Sequence, residues 1–329
     1  MTTISAASTL RGSRAGTPLL ALSSLIAALA VVACLAGLFW EAGDGRATVT
    51  SVRGEQVDLY GEGLYVYDTV FIAASSRATD VVTLLLGVPL LVFAVVLSRR
   101  SSLRAALLFA GVLGYFLYVY ASRSLGNAYN GLFPVYIALF SASLFAFILA
   151  VTSINFGALA SRLNVERPRR GLAAFLLASA AVTAVVWLAP LFAAIARGEA
   201  PKYLDTYATT VTDVLDLGVL VPTLVVAAAL ILRRAALGYF LAGVLLVLLL
   251  FVAATIVLGT VFQVAADVSF TTGEIAGPIA GFLVLAGIAA WLLVRLLSDA
   301  GRDAPADAKR DGAARARRDA GGGLMEKRA

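Results

Sequence analysis

The sequence predicts an all-α integral membrane protein with eight transmembrane helices, arranged as two parallel four-helix repeats. Apolar residues make up 60% of the 329 residues and charged residues only 14%, whereas charged residues approach about a quarter of a soluble domain. Eight apolar runs are each long enough to cross a hydrocarbon core of about 30 Å as a helix. They cover residues 18–40, 79–98, 105–122, 133–154, 172–196, 213–232, 238–262 and 277–297.

Two stretches of the chain repeat one pattern, which predicts an internal duplication. One begins at Asp80 and reads DVVTLLLGVPLLVFAVVLSRR; the other begins at Asp213 and reads DVLDLGVLVPTLVVAAALILRR. Each aspartate is followed nine positions later by a proline, Pro89 or Pro222, and each run ends in paired arginines. The tetrapeptide AGVL then recurs in the next helix of each half. Because each half holds four spans, both halves insert in the same direction, related by an axis along the membrane normal.

Residues 1–17 are interpreted as a short cytoplasmic lead, and the first span contains the only cysteine, Cys34. The small residues before Cys34 loosely resemble the pattern that precedes a lipidated cysteine. The apolar character continues from Leu35 to Trp40, which favours a plain first helix with a packed or lipid-facing thiol.

The loop 41–78 is the one sizeable outer segment. Alternation in 48–52 and 56–60 predicts a small β-hairpin that lies on the outer ends of the helices. Asp68 and Thr69 then predict the cap of a helix that begins before the lipid and continues into the second span.

The rest of the chain divides around a basic segment. Residues 18–154 are predicted to form the first repeat, 155–171 a cytoplasmic linker, 172–297 the second repeat and 298–329 a disordered cytoplasmic tail. The inner segments carry 20 of the 26 lysines and arginines if the N-terminus is inside. The positive-inside rule therefore predicts that both termini lie in the cytoplasm. We interpret the chain as a multi-pass protein of the inner (plasma) membrane.

Several classes of site are excluded or disfavoured. Histidine is absent, which removes histidine-held haem, histidine metal sites and a Ser/His/Asp triad. A single cysteine excludes an intrachain disulfide. No glycine-rich loop ends in Gly-Lys-Ser/Thr, so no phosphate-binding loop of that kind is present. No cofactor is expected. No nucleic-acid partner is expected either, because the basic residues of the tail are nearly balanced by acidic ones.

Asp216 is the strongest candidate for a functional residue. Apart from Arg295 near an inner end, it is the only ionisable residue clearly inside a predicted span, and a charge there is costly enough to indicate function. Asp213 lies one turn nearer the outer side, on the same helical face. Asp80 and Asp213 are equivalent in the duplication, and the favourable position of an acid at a helix N-terminus is sufficient to explain each.

Polar residues concentrate at the outer level of the predicted bundle. They comprise Asp80, Asp213, Asp216, Glu274, Tyr115 and Tyr118. If they converge, they form an outward-facing acidic and aromatic vestibule suited to a cation or an amine-bearing solute. The alternative is an aromatic belt with ordinary helix caps. Pro89 and Pro222 are candidate hinges, because a proline removes one backbone hydrogen bond from its helix.

Three segments resemble parts of uncharacterised multi-pass bacterial membrane proteins. They are LYGEGLYVYDTVF (Leu59–Phe71), TDVVTLLLGVPLL (Thr79–Leu91) and YNGLFPVYIALFSASLFAF (Tyr129–Phe147). The resemblance covers mainly the first half and implies the multi-pass topology alone.

Three functions are left open by the residues. The first is binding or transport of a small, possibly cationic solute at the interface of the repeats, within the lipid bilayer. The second is a non-transporting sensor or accessory subunit whose outer loop binds a protein partner. The third, an outer-face lipid-linked transferase acting through the loop carboxylates, would make the protein an enzyme, which the sequence does not favour.

Overall fold

The described part of the chain contains eight helices that are long and apolar enough to cross a membrane, which confirms the predicted all-α, eight-span fold class; its arrangement as two repeats stays a prediction. The structure, a computed structural model, describes residues 16–99, 102–163, 165 and 169–300; the side chains of Glu274 and Pro278 lie outside the described part. The helices are α1 (Thr17–Phe39), α2 (Val70–Ser98), α3 (Leu103–Gly126), α4 (Phe133–Thr152), the short α5 (Phe156–Leu163), α6 (Arg170–Arg197), α7 (Val211–Leu232), α8 (Ala236–Ala265) and α9 (Thr272–Ala300). The predicted lead and tail fall almost wholly outside the described residues.

The spans alternate in direction, so the loops gather at two ends of the bundle. We call the end that carries the loop 40–69 the hairpin end. Arg46 of that loop bonds to the carbonyl of Ala266 at 2.7 Å, and Arg53 contacts the carbonyl of Asp205, which places both later loops at the same end. At the opposite end, Arg169 pairs with Asp299 at 2.7 Å. Which end faces the cytoplasm stays a prediction from the positive charges.

Helices α3 and α8 are the most enclosed spans and pack directly on each other. A Cβ on Gly111 would lie 2.7 Å from Val247, and one on Gly243 would lie 3.4 Å from Leu107. Both glycines belong to the repeated AGVL tetrapeptide. A small residue at these points lets two helix backbones approach closely, so each repeated tetrapeptide places a glycine at the contact between α3 and α8.

The hairpin predicted in the first loop is present. Strand β1 (Ala47–Thr50) pairs antiparallel with β2 (Gln56–Leu59), and Thr48 donates to Asp58 across the pair at 2.7 Å. Thr69 caps α2 by accepting from the backbone N–H of Ile72. Helix α2 therefore begins nine residues before the predicted second span, as the Asp68–Thr69 pattern indicated.

Helices α2 and α7 each contain a five-residue π-helical segment. The segments are Thr83–Gly87 and Asp216–Leu220, and each begins three residues after the aspartate of the repeated pattern. Pro89 and Pro222 follow directly, at the start of the next α-helical stretch. A proline cannot donate to the carbonyl one turn earlier, and a local π register accommodates that break. The two halves share this feature, while the duplication and the hinge role stay predictions.

The predicted linker 155–171 is partly helical. Asn155 accepts from the backbone N–H of Ala158 at 2.9 Å and so begins α5, whose residue Leu159 is fully buried. Residues 164 and 166–168 lie outside the described part.

Candidate functional site

The predicted site residues separate into two groups instead of one. We call Tyr65, Asp80 and Arg123 the Arg123 cluster, and Tyr118, Trp187, Asp213 and Asp216 the Asp216 cluster. Tyr115 donates or accepts a 2.7 Å hydrogen bond with Thr83 of α2, whereas Tyr118 donates to Asp216 of α7 at 2.8 Å. Tyr115 and Tyr118 of α3 therefore bond to different helices, α2 and α7.

The Arg123 cluster is a fully paired ionic group inside the bundle. Arg123 and Asp80 are 5% and 4% exposed, and they form an ion pair with Nη2 and Oδ1 2.8 Å apart. The other guanidinium nitrogen contacts the hydroxyl of Tyr65, which donates to Asp80 Oδ2 at 2.6 Å. Arg123 also donates to the carbonyl of Ser76 at 2.7 Å. Because Arg123 balances its charge, Asp80 is not an open carboxylate for a solute.

Two expectations about this cluster are wrong. Asp80 was expected at the start of a helix, but it lies ten residues after Val70 begins α2. The third span was expected to end at residue 122, which left Arg123 in the outer loop that follows, but α3 continues to Gly126 and holds Arg123 in the bundle. Asp216 is consequently not the only acid within a span. The apolar run of α3 stops at the arginine itself, so hydropathy ended the predicted helix one turn early.

Helix α1 packs against the Arg123 cluster through two small residues, Gly37 and Cys34. A Cβ on Gly37 would lie 2.0 Å from Asp80 Oδ2 and 2.7 Å from the Tyr65 hydroxyl. Cys34, one turn earlier, is 1% exposed and lies beside Asp80. Its thiol is therefore packed in the interior of the bundle rather than facing lipid.

Asp68 links three loops at the hairpin end. Its Oδ1 accepts from the backbone N–H of Ala128 at 2.8 Å and from the hydroxyl of Tyr207 at 2.6 Å. Burial raises the pKa of Asp68 above its usual value, and the hydrogen bonds from Ala128 and Tyr207 oppose that shift. These contacts attach the first loop to the loops that follow α3 and α6.

The Asp216 cluster contains a buried carboxylate without a basic partner. Asp216 is 3% exposed and begins the π segment of α7. The indole N–H of Trp187 lies beside it, without a hydrogen bond of normal geometry. Asp213 is half-buried one turn nearer the hairpin end. Among the residues that the structure describes, no ion pair involves either aspartate.

The charge of the buried carboxylate is neutralised differently in the two clusters. An isolated ionised carboxylate in a low-dielectric interior costs several kcal/mol. Asp80 is compensated by Arg123, whereas the described neighbours of Asp216 supply a tyrosine hydroxyl, an indole N–H and a second acid, none of which carries a positive charge. A proton or a bound cation is the remaining way to neutralise Asp216.

Other observations limit what the site holds. Within the described ranges, no three cysteine, aspartate or glutamate residues group as metal ligands. The side chain of Glu274, the remaining predicted member, lies outside the described part. No family model, curated protein or solved structure matches the chain. Function is therefore inferred from the geometry of the two clusters.

Proposed function

We propose that this polytopic membrane protein binds a small cation, the proton included, at Asp216 and moves it across the bilayer. The observation that carries the proposal is a 3% exposed carboxylate in a spanning helix with no ion-pair partner among the described residues. Charged side chains in membrane spans are rare and usually lie on ion or substrate pathways.

The surroundings of Asp216 support a binding role. The hydroxyl of Tyr118 holds Oδ1 at 2.8 Å, which fixes the carboxylate for a ligand. The indole N–H of Trp187 lies beside the carboxylate, and Asp213 adds a second negative charge nearby. π-helical segments frequently occur at functional sites, and Asp216 opens one of the two found in the described residues.

Burial favours a small ligand. Asp216 and its partner Tyr118 are enclosed by α3, α6 and α7, so a bulky amine would have to displace one of these helices. A proton or a monovalent inorganic cation needs much less space. Pro222, which follows the π segment, is a point where α7 can bend and so expose Asp216 first to one side of the membrane and then to the other.

The test is thermal unfolding of the purified full chain with lithium, sodium, potassium or ammonium chloride. Because a ligand that binds only the folded state stabilises it by about 2.7 kcal/mol at 100 times its dissociation constant, we expect one cation to raise the Tm of the wild type. Asp216→Asn should lose this response.

Two controls make the result specific. Choline chloride at equal concentration reports the effect of ionic strength, and Asp44→Asn removes an exposed loop acid without touching either cluster. The same shift in wild type and Asp216→Asn would place the binding site elsewhere. No shift with any small cation, together with no change on acidification that Asp216→Asn removes, would reject the proposal.

A further inference from the structure

One face of α6 carries three buried polar atoms in consecutive turns that make no hydrogen bond to the described protein. They are the hydroxyls of Ser179 and Thr183 and the indole nitrogen of Trp187. Ser179 is 0% exposed and Thr183 2%. Residues four apart lie above one another on a helix, so the three atoms form a line, which we call the α6 polar line.

Several serine and threonine hydroxyls in other described helices are bonded to their own helix. Ser23, Thr79 and Thr260 each donate to the carbonyl four residues earlier, at 2.8–2.9 Å. Such bonds are the ordinary solution for serine and threonine in a membrane helix. A buried hydroxyl without a partner costs free energy. Other unbonded atoms occur, for example at Ser143, but within the described part only α6 has them in three successive turns.

The α6 polar line leads to Asp216. Trp187 lies beside the carboxylate, and Thr183 and Ser179 follow one and two turns farther from the hairpin end. At 1.5 Å per residue, Ser179 is about 12 Å along the axis from Trp187. In a core of about 30 Å this distance extends toward the middle of the membrane. Helix α6 packs mainly against α7, which carries Asp216.

The spacing suits transfer of protons. Side chains four apart on a helix are separated by about 6 Å, which one water bridges with two hydrogen bonds of about 2.8 Å each. A hydroxyl both donates and accepts, whereas an indole only donates. Ser179 and Thr183 can therefore relay a proton, and Trp187 can only orient a water beside Asp216.

We propose that the α6 polar line is a proton path that ends at Asp216. This inference rests on the proposed function and narrows its ligand to the proton. Each oxygen on the path accepts one proton and releases another, and the last proton forms an O–H bond on the carboxylate without oxidation. Beyond Ser179 the helix carries buried Leu176, Phe175 and Leu172, an apolar stretch that limits the rate at which protons reach the opposite end.

Proton flux into vesicles tests the path. The full chain is reconstituted with an internal pH dye, and a potassium gradient with valinomycin drives protons inward. We expect Ser179→Ala/Thr183→Val to slow the flux at least tenfold. The matched control Ser23→Ala/Thr260→Val, which removes bonded hydroxyls from other helices, should leave it unchanged.

A gain of function provides the complementary test. Leu176→Ser adds a hydroxyl three residues before Ser179 and so extends the line toward the opposite end, and we expect faster proton flux. The Tm of each variant is measured in parallel. Loss of unbonded hydroxyls should not lower the Tm, so slower flux in a stable Ser179→Ala/Thr183→Val protein is not an effect of unfolding.

The outcomes separate the two proposals. Wild-type flux in the Ser179→Ala/Thr183→Val variant and in Leu176→Ser would overturn the path while leaving cation binding at Asp216 intact. Absence of proton flux in the wild type would overturn the path as well. If Asp216→Asn keeps both the cation response and the flux, the proposed function itself fails.

Discussion

Replacing Arg123 by glutamine is expected to destabilise the folded protein by about 3–5 kcal/mol, the usual cost of breaking a buried ion pair on one side. The substitution leaves Asp80, 4% exposed, with uncharged close partners, the hydroxyl of Tyr65 and the thiol of Cys34. Unfolding followed in detergent by heat or denaturant measures the change. An ion pair in water would not respond in this way, because solvent replaces the lost partner.

Two comparisons identify the cause of that loss. Arg197→Gln removes an exposed pair with Glu199, whose nitrogen and oxygen lie 2.7 Å apart with side chains 58% and 62% exposed. It should cost at most about 1 kcal/mol. The double change Asp80→Leu with Arg123→Met should recover much of the stability, because no buried charge is left alone. A loss with Arg123→Gln no larger than that with Arg197→Gln would contradict the assignment.

Replacing Gly37 by alanine is expected to disrupt the same cluster from α1. The added Cβ would lie 2.0 Å from Asp80 Oδ2, so either α1 moves outward or the carboxylate leaves its position against Arg123. Overpacking a core typically costs about 1–3 kcal/mol, and a weakened ion pair adds to that cost. The same unfolding measurement reports the sum.

Gly287→Ala is the matched control for Gly37→Ala. Gly287 also lies inside a spanning helix, but a Cβ there would meet nothing within 4 Å. Alanine is favoured over glycine in a helix by up to about 1 kcal/mol, so this variant should be neutral or slightly more stable. Equal effects of the two substitutions would mean that Gly37 is not held against Asp80.

The parts of the fold that depend on residues close together in the chain could be predicted from the sequence. Long apolar runs specify spanning helices because lipid forces each segment to satisfy its own backbone. Thr69 was recognisable as a cap from its place before an apolar run, and the alternation around Gly54 identified the hairpin. These features depend on neighbours in the chain and not on helix rotation.

The Arg123 cluster could not be found in the same way. A run that is apolar all round has little periodicity, so it does not show which side faces the bundle. Arg123 ended the apolar run of α3 and was therefore assigned to a loop, although Asp80 stood at a similar depth on the neighbouring helix. Opposite charges at matched depths on adjacent spans were the available signal.

Part of the Asp216 cluster, namely Asp216 and its neighbour Tyr118, could be predicted from the sequence. The cost of an acid in lipid singled out Asp216, and Tyr118 was among its expected neighbours. The direction of Tyr115 was not predictable, because Tyr115 and Tyr118 are three residues apart yet reach opposite neighbours, α2 and α7. The spacing of Ser179, Thr183 and Trp187 at four residues was a polar stripe already visible in the sequence.

The most direct test of the central claim is infrared difference spectroscopy of the protein in lipid vesicles. Spectra are recorded on changing the pH and on adding a small cation, for wild type, Asp216→Asn and Asp213→Asn. We predict a carboxyl band that converts between its protonated and ionised forms in the wild type and in Asp213→Asn, and that is absent from Asp216→Asn. The same carboxyl bands in wild type and Asp216→Asn would contradict the claim that a proton or a small cation from solution neutralises Asp216.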